Sequence, residues 1–176
     1  MCIIIDTNTL PAVFDDNCSD HLTFKPVLDW ICDGPGKVVF GGTQYSTELK
    51  KRYLGLFTAL KAANKAVYID DDLVDQATTS AKEKIQHKDF DDQHLVGLLL
   101  VSKCRLICSL DKRAYPFFQH RTFFSAKEEP KIYRSLSGAK LLCPKYFSPI
   151  CLPCKKSTKV QVEHFKSALQ ILEENK

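Results

Sequence analysis

Four acidic side chains sit where a folded chain could bring them together. Asp6 closes the apolar run Ile3-Ile4-Ile5, and Glu48 follows a second strand-like run, Lys37-Val38-Val39-Phe40. Asp92 opens the apolar stretch Leu95 to Val101, and Asp111 follows a further run, Arg105 to Leu110. Carboxylates crowded into one cleft repel each other, so such a cluster persists only with a cation or with some carboxyls protonated. Hard oxygen donors without His or Cys suit Mg²⁺ or Mn²⁺. Those ions clamp phosphate oxygens and turn a bound water into a nucleophile. The chemistry implied is metal-assisted hydrolysis of a phosphodiester. Each acid alone has an ordinary role: Asp6 or Asp92 as a helix cap, Glu48 as a solvated helix residue, Asp111 as the start of a turn. Their joint placement at strand and helix ends carries the functional reading.

That placement depends on the elements around them. Three successive β-branched residues with no polar alternation predict a strand buried on both faces, as in a parallel sheet. Further strands are predicted at 37–40, 66–69 and 105–110, with a weaker one at 131–133. Between them, helical spacing predicts a short helix at 9–14 with Thr9 as N-cap and helices over 24–31, 45–63 and 73–85, while the all-apolar 95–101 reads as a buried helix. This β-α-β-α order predicts a three-layer α/β/α fold with a mostly parallel sheet of four to five strands. In such sheets ligands bind beyond the carboxyl ends of the strands, where Asp6 and Asp111 would lie. Residues 1–140 make up the expected domain. From 141 the composition changes to a Cys/Pro-rich extension, then helical periodicity at Val162, Phe165, Leu169 and Leu172, expected to pack on the same domain.

The chain has 176 residues and a formal charge of +4, which permits a polyanionic partner without requiring one. No apolar run approaches the ~18 residues of a membrane helix. The start does not read as a signal peptide. Although there are eight cysteines, Cys2, Cys104 and Cys108 fall in or beside apolar strands, where a free thiol acts as a small hydrophobe. These features predict reduced thiols and a cytoplasmic setting.

Ile3-Ile4-Ile5-Asp6-Thr7-Asn8 resembles the first motif of the PIN-domain ribonucleases. The segment Asp92-Gln93-His94-Leu95-Val96-Gly97-Leu98, followed by Arg105 to Lys112, is similar to that family's third and fourth motifs, and Glu48 falls where its second acid would. The resemblance spans about Met1 to Tyr133. It implies a PIN-like fold and Mg²⁺- or Mn²⁺-dependent endonucleolytic cleavage of RNA, with Asp6, Glu48, Asp92 and Asp111 as metal ligands. Asn8 and Ser109 would support the site, and Asp91 competes with Asp92 for its place. A toxin or defence role, a cognate inhibitor protein and a homodimer are further implications. Two other readings stand beside it. One is a catalytically inactive PIN-like module that binds RNA or protein. The other is a phosphatase of the haloacid-dehalogenase type, which needs a second Asp where Asn8 stands.

Basic residues flank the acids: Lys51 and Arg52 after Glu48, Lys112 and Arg113 after Asp111. They could meet a phosphate backbone, and nearby Phe117, Phe118, Phe123 and Phe124 could stack bases, though such residues more often cover solvated faces or fill a core. In the tail, Cys151-Leu152-Pro153-Cys154 with Cys143 and His164 offers four soft ligands for a structural Zn²⁺. A second ligand pair at the usual spacing is missing; free thiols or a redox-labile pair are the alternatives.

Overall fold

Strand β1 (Cys2–Ile5) runs through the middle of a five-stranded sheet in which every pairing is parallel. The computed structural model describes residues 1–146 and 148–174. β2 (Lys37–Gly41), β3 (Ala66–Ile69), β4 (Leu106–Cys108) and β5 (Lys131–Tyr133) complete the sheet in the order β3-β2-β1-β4-β5. The chain first builds outward from β1 to β2 and β3. It then returns to place β4 on the other side of β1. That reversal opens a crevice at the carboxyl ends of β1 and β4, the usual ligand position in such sheets. All four residues of β1 are buried, as its unbroken apolar composition requires.

Right-handed crossovers put the helices on both faces, giving the three-layer α/β/α arrangement. On one side α1 (Leu10–Phe14) packs against α2 (His21–Cys32). On the other α5 (Asp71–Lys84) packs against α6 (Gln93–Ser102). The latter pair approaches closely because Gly97 has no side chain: a Cβ there would lie 2.4 Å from Thr78 Oγ1 and 2.9 Å from Val74 O.

Two predicted elements are divided or shortened. The helix expected over 45–63 breaks at Leu49 into α3 (Thr43–Glu48) and α4 (Lys50–Ala62). α3 stays against α5 and α6, while α4 packs on β3. β4 ends at Cys108, so Asp111 lies three residues beyond the strand, in a loop. Thr9 does not cap by side chain; its Oγ1 accepts a hydrogen bond from Leu110 N at 3.2 Å, tying the loop after β1 to the loop after β4.

The tail is fastened to the sheet domain by chemistry its sequence did not reveal. Cys2 at the start of β1 and Cys151 form a disulfide with Cα atoms 6.1 Å apart, within the span such a bond needs. The expectation that Cys2 is a reduced core thiol is therefore corrected. Ser148 Oγ donates to Ser102 O at 2.8 Å, and the buried Lys65 ammonium donates to the carbonyls of Gly34, Gly36 and Lys155. α7 (Tyr115–Phe118) precedes β5. After it α8 (Lys159–Glu174) lies along α4 and α2 with Phe165 and Leu172 buried.

Candidate metal centre

Asp6 follows β1 directly and is buried. Its Oδ1 accepts from Asn8 N at 3.1 Å, capping the turn Thr7–Thr9. Its Oδ2 accepts from Ser109 Oγ at 2.8 Å. Register explains the second bond: Ile5 pairs with Cys108, so Asp6 and Ser109 emerge side by side from adjacent strands. Ser109 Oγ in turn accepts from Asp111 N at 3.1 Å, which holds the loop carrying the next acid. Burial raises the Asp6 carboxyl above its ordinary value, against the lowering effect of these two hydrogen bonds.

Asp91, Asp92 and Asp111 form the tightest acidic group. Each presents a carboxylate oxygen, and the three oxygens all lie within 4.8 Å of one another. Asp91 and Asp92 arrive there because α6 begins at this edge of the sheet, with Asp92 at its N-cap position. Burial and then the charges of Asp6, Asp91, Asp111 and Glu48 push Asp92 up to about 7. Asp92 thus feels all the acids singled out from the sequence. Asp91 and Asp92 both join Asp111, so neither displaces the other.

Glu48, at the end of α3, stands to one side. Thr7 Oγ1 donates to its Oε2 at 2.7 Å and Gln44 Nε2 to its Oε1 at 2.8 Å. His94 Nε2 lies 3.3 Å from Oε2, yet neither ring nitrogen of this buried residue makes a hydrogen bond of good geometry. Burial holds His94 below the ordinary imidazole range, opposed by the charges of Glu48 and Asp6. Thr7 and His94 had not been singled out from sequence. The usable signal was His94 itself, an ionisable residue two positions after Asp92 at the head of the apolar run Leu95 to Val101.

No protein-family model, curated protein or solved structure matches this chain. The donor set is all carboxylate, as Mg²⁺ or Mn²⁺ would require. Oxygens sharing one such ion at about 2.0–2.6 Å can be at most about 4–5 Å apart, a limit the Asp91, Asp92 and Asp111 oxygens meet. An acid raised by burial and then by its acidic neighbours, as Asp92 is, marks a cluster in which a proton can stand in for a cation. The residues present fit such an ion.

Arg113 is already engaged. Its Nε and one terminal nitrogen reach Asp111 at 3.2 and 2.8 Å, and the latter lies 3.7 Å from Asp91. The guanidinium lowers the Asp111 carboxyl below its ordinary value. Arg113 therefore closes the cluster from the solvent side. Lys112 is exposed beside it; the side chains of Lys51 and Arg52 lie outside the described residues. The exposed Asn8 contributes its backbone N–H.

The aromatic segment is core. Phe117, Phe118 and Phe124 are buried, and Phe117 stacks on Phe90 with ring centres 4.5 Å apart. They offer no platform for bases. The zinc expectation also fails: Cys151 is bonded to Cys2, Cys154 contacts the Met1 ammonium, and His164 is exposed on α8. Among the described residues, no such group of ligands includes a Cys or His.

Proposed function

We propose that the chain is a metal-dependent endoribonuclease of PIN type, a hydrolase that cuts RNA phosphodiester bonds at this acidic centre. The observation that carries the reading is the meeting of Asp91, Asp92 and Asp111 within 4.8 Å, with Asp92 raised to about 7. Asp91, Asp92 and Asp111 would hold Mg²⁺ or Mn²⁺, with Asp6 and Glu48 at its flanks. A divalent ion there would supply positive charge to phosphate oxygens and lower the pKa of a water. The chain's own residues do the positioning. Ser109 orients Asp6 and, through Asp111 N, the loop of Asp111. Thr7 and Gln44 orient Glu48. Arg113 and the exposed Lys112 put positive charge at the rim, where a polyanion would arrive.

RNA as the substrate rests on the motif resemblance, as do a toxin or defence role, a cognate inhibitor protein and pairing of two copies. A cytoplasmic setting belongs to the same reading. No helix among the described residues is long and apolar enough to cross a membrane, and six of the eight cysteines are free. A second reading, a non-catalytic PIN-like binding module, is favoured by the Arg113–Asp111 pair, which neutralises charge a metal would need. One assay separates them: labelled RNA with and without Mn²⁺, wild type against Asp6→Asn. Manganese-dependent cleavage lost in Asp6→Asn supports the enzyme; intact RNA with unchanged binding supports the module.

A further inference from the structure

The eight cysteines fall into three environments. Cys32, Cys104 and Cys108 are buried, and burial pushes their thiols up to about 12, to about 11 and well above the ordinary value, so they stay protonated and inert. Cys2 and Cys151 are joined and buried. Cys18, Cys143 and Cys154 are half-exposed free thiols. Of these, Cys154 alone stands three residues from a disulfide-bonded cysteine, in Cys151-Leu152-Pro153-Cys154.

Positive groups gather around it. The Met1 ammonium donates to Cys154 Sγ, and the Lys37 and Lys65 ammonium groups act on it electrostatically. Lys65 also donates to the carbonyl of the following residue, Lys155. Cys154 Sγ donates a 3.1 Å hydrogen bond to the backbone carbonyl of Cys151, the residue whose sulfur is bridged to Cys2. A thiol that is accessible, surrounded by positive charge and adjacent to a disulfide is the arrangement that thiol–disulfide exchange needs.

We propose that Cys151 to Cys154 is a thiol–disulfide exchange site, in which Cys154 competes with Cys2 for Cys151. In the exchange Cys154 loses its proton to solvent and its sulfur bonds Cys151 Sγ. The Cys2–Cys151 bond breaks, and its electron pair leaves on Cys2 Sγ, which takes up a proton. One disulfide is consumed and one formed, so no oxidant is required. The exchange frees the tail from β1, while Phe165 and Leu172 keep α8 docked. The Cys151–Cys154 bridge is the form an external dithiol reductant reaches, because Cys154 is half-exposed whereas Cys2 and Cys151 are buried. None of this depends on the nuclease reading.

The test is disulfide mapping of the full chain by mass spectrometry, after alkylation at acid pH from a series of glutathione redox buffers. Two linked peptides are expected in wild type, Cys2–Cys151 and Cys151–Cys154. Cys154→Ser should leave only the first and Cys2→Ala only the second. Reduction of Cys2–Cys151 by dithiothreitol should be at least ~10-fold slower in Cys154→Ser than in wild type, because the half-exposed entry point is gone. Recovery of Cys154 as an alkylated thiol in every sample, Cys2→Ala included, would overturn the proposal. So would equal reduction rates in wild type and Cys154→Ser.

Discussion

Ser109 Oγ donates a 2.8 Å hydrogen bond to Asp6 Oδ2, across the junction where β4 returns to the side of β1. The bond spans residues 103 apart in the chain. It joins a buried acid to the loop that carries Asp111, through the second bond from Asp111 N. Ser109→Ala removes a donor from a buried carboxylate, at a cost of about 1–3 kcal/mol. The thermal midpoint should fall by several degrees, and Asp6 should titrate higher still. A melting curve superimposable on wild type would show that this bond does not hold the two loops together.

Asp92 gives the centre its pH dependence. Its folded value of about 7 stands above the ordinary 3.8, so the native state binds the proton more tightly than the unfolded chain does. The stability this contributes is complete below about pH 4 and is lost as pH rises through 7. Asp6 acts in the same direction, whereas Asp111, lowered by Arg113, acts in the opposite one. The difference between Asp92→Asn and wild type isolates the effect. The variant should gain thermal midpoint over wild type between pH 4 and 7, with no further gain above 8. A difference that stays constant across that range would mean that Asp92 ionises as freely as a surface acid.

Manganese should replace that proton. At pH 7 a saturating excess of Mn²⁺, about 100 times Kd, stabilises by about 2.7 kcal/mol. The thermal midpoint should rise by several degrees and return on adding EDTA. The rise should vanish in Asp92→Asn and in Asp111→Asn. A midpoint indifferent to Mn²⁺ would leave the acidic group without a cation and end the case for a metal centre.

Arg113 competes for the same carboxylate. It is exposed, so its side chain can leave Asp111 at little cost, and its removal relieves the lowering of the Asp111 carboxyl. Calorimetric titration of Arg113→Ala should show Mn²⁺ bound severalfold more tightly than by wild type. Weaker binding would mean that Arg113 instead holds Asp111 in its ligating position.

Gly97 sets how closely α6 lies on α5, and hence where Asp92 and His94 sit. Alanine is the better helix former by about 1 kcal/mol. Here its Cβ would fall 2.9 Å from the Val74 carbonyl oxygen, a backbone atom that cannot turn aside. Overpacking of that kind costs about 1–3 kcal/mol. Gly97→Ala should therefore lower the midpoint in urea despite the gain in propensity. An equal or higher midpoint would show that the two helices can separate freely.

Much of this molecule was written in local pattern. Apolar runs marked β1, β2 and β3; β1 and β2 are buried along their length, as central parallel strands are, whereas β3 lies at the sheet edge and exposes Tyr68. Helical periodicity marked α5 and α8, and an all-apolar stretch marked α6. Asp6 and Asp111 could be placed at one edge because strand ends and acids adjoin in the sequence itself. What local pattern could not contain was decided by segments meeting from far apart. The return of β4 to β1 set Asp6 against Ser109, and the start of α6 brought Asp91 beside Asp111 as well as Asp92. Cys151 came home to Cys2 across 149 residues. A periodicity reports which face of an element is buried; it carries no record of which distant side chain will be packed, bonded or charged against it.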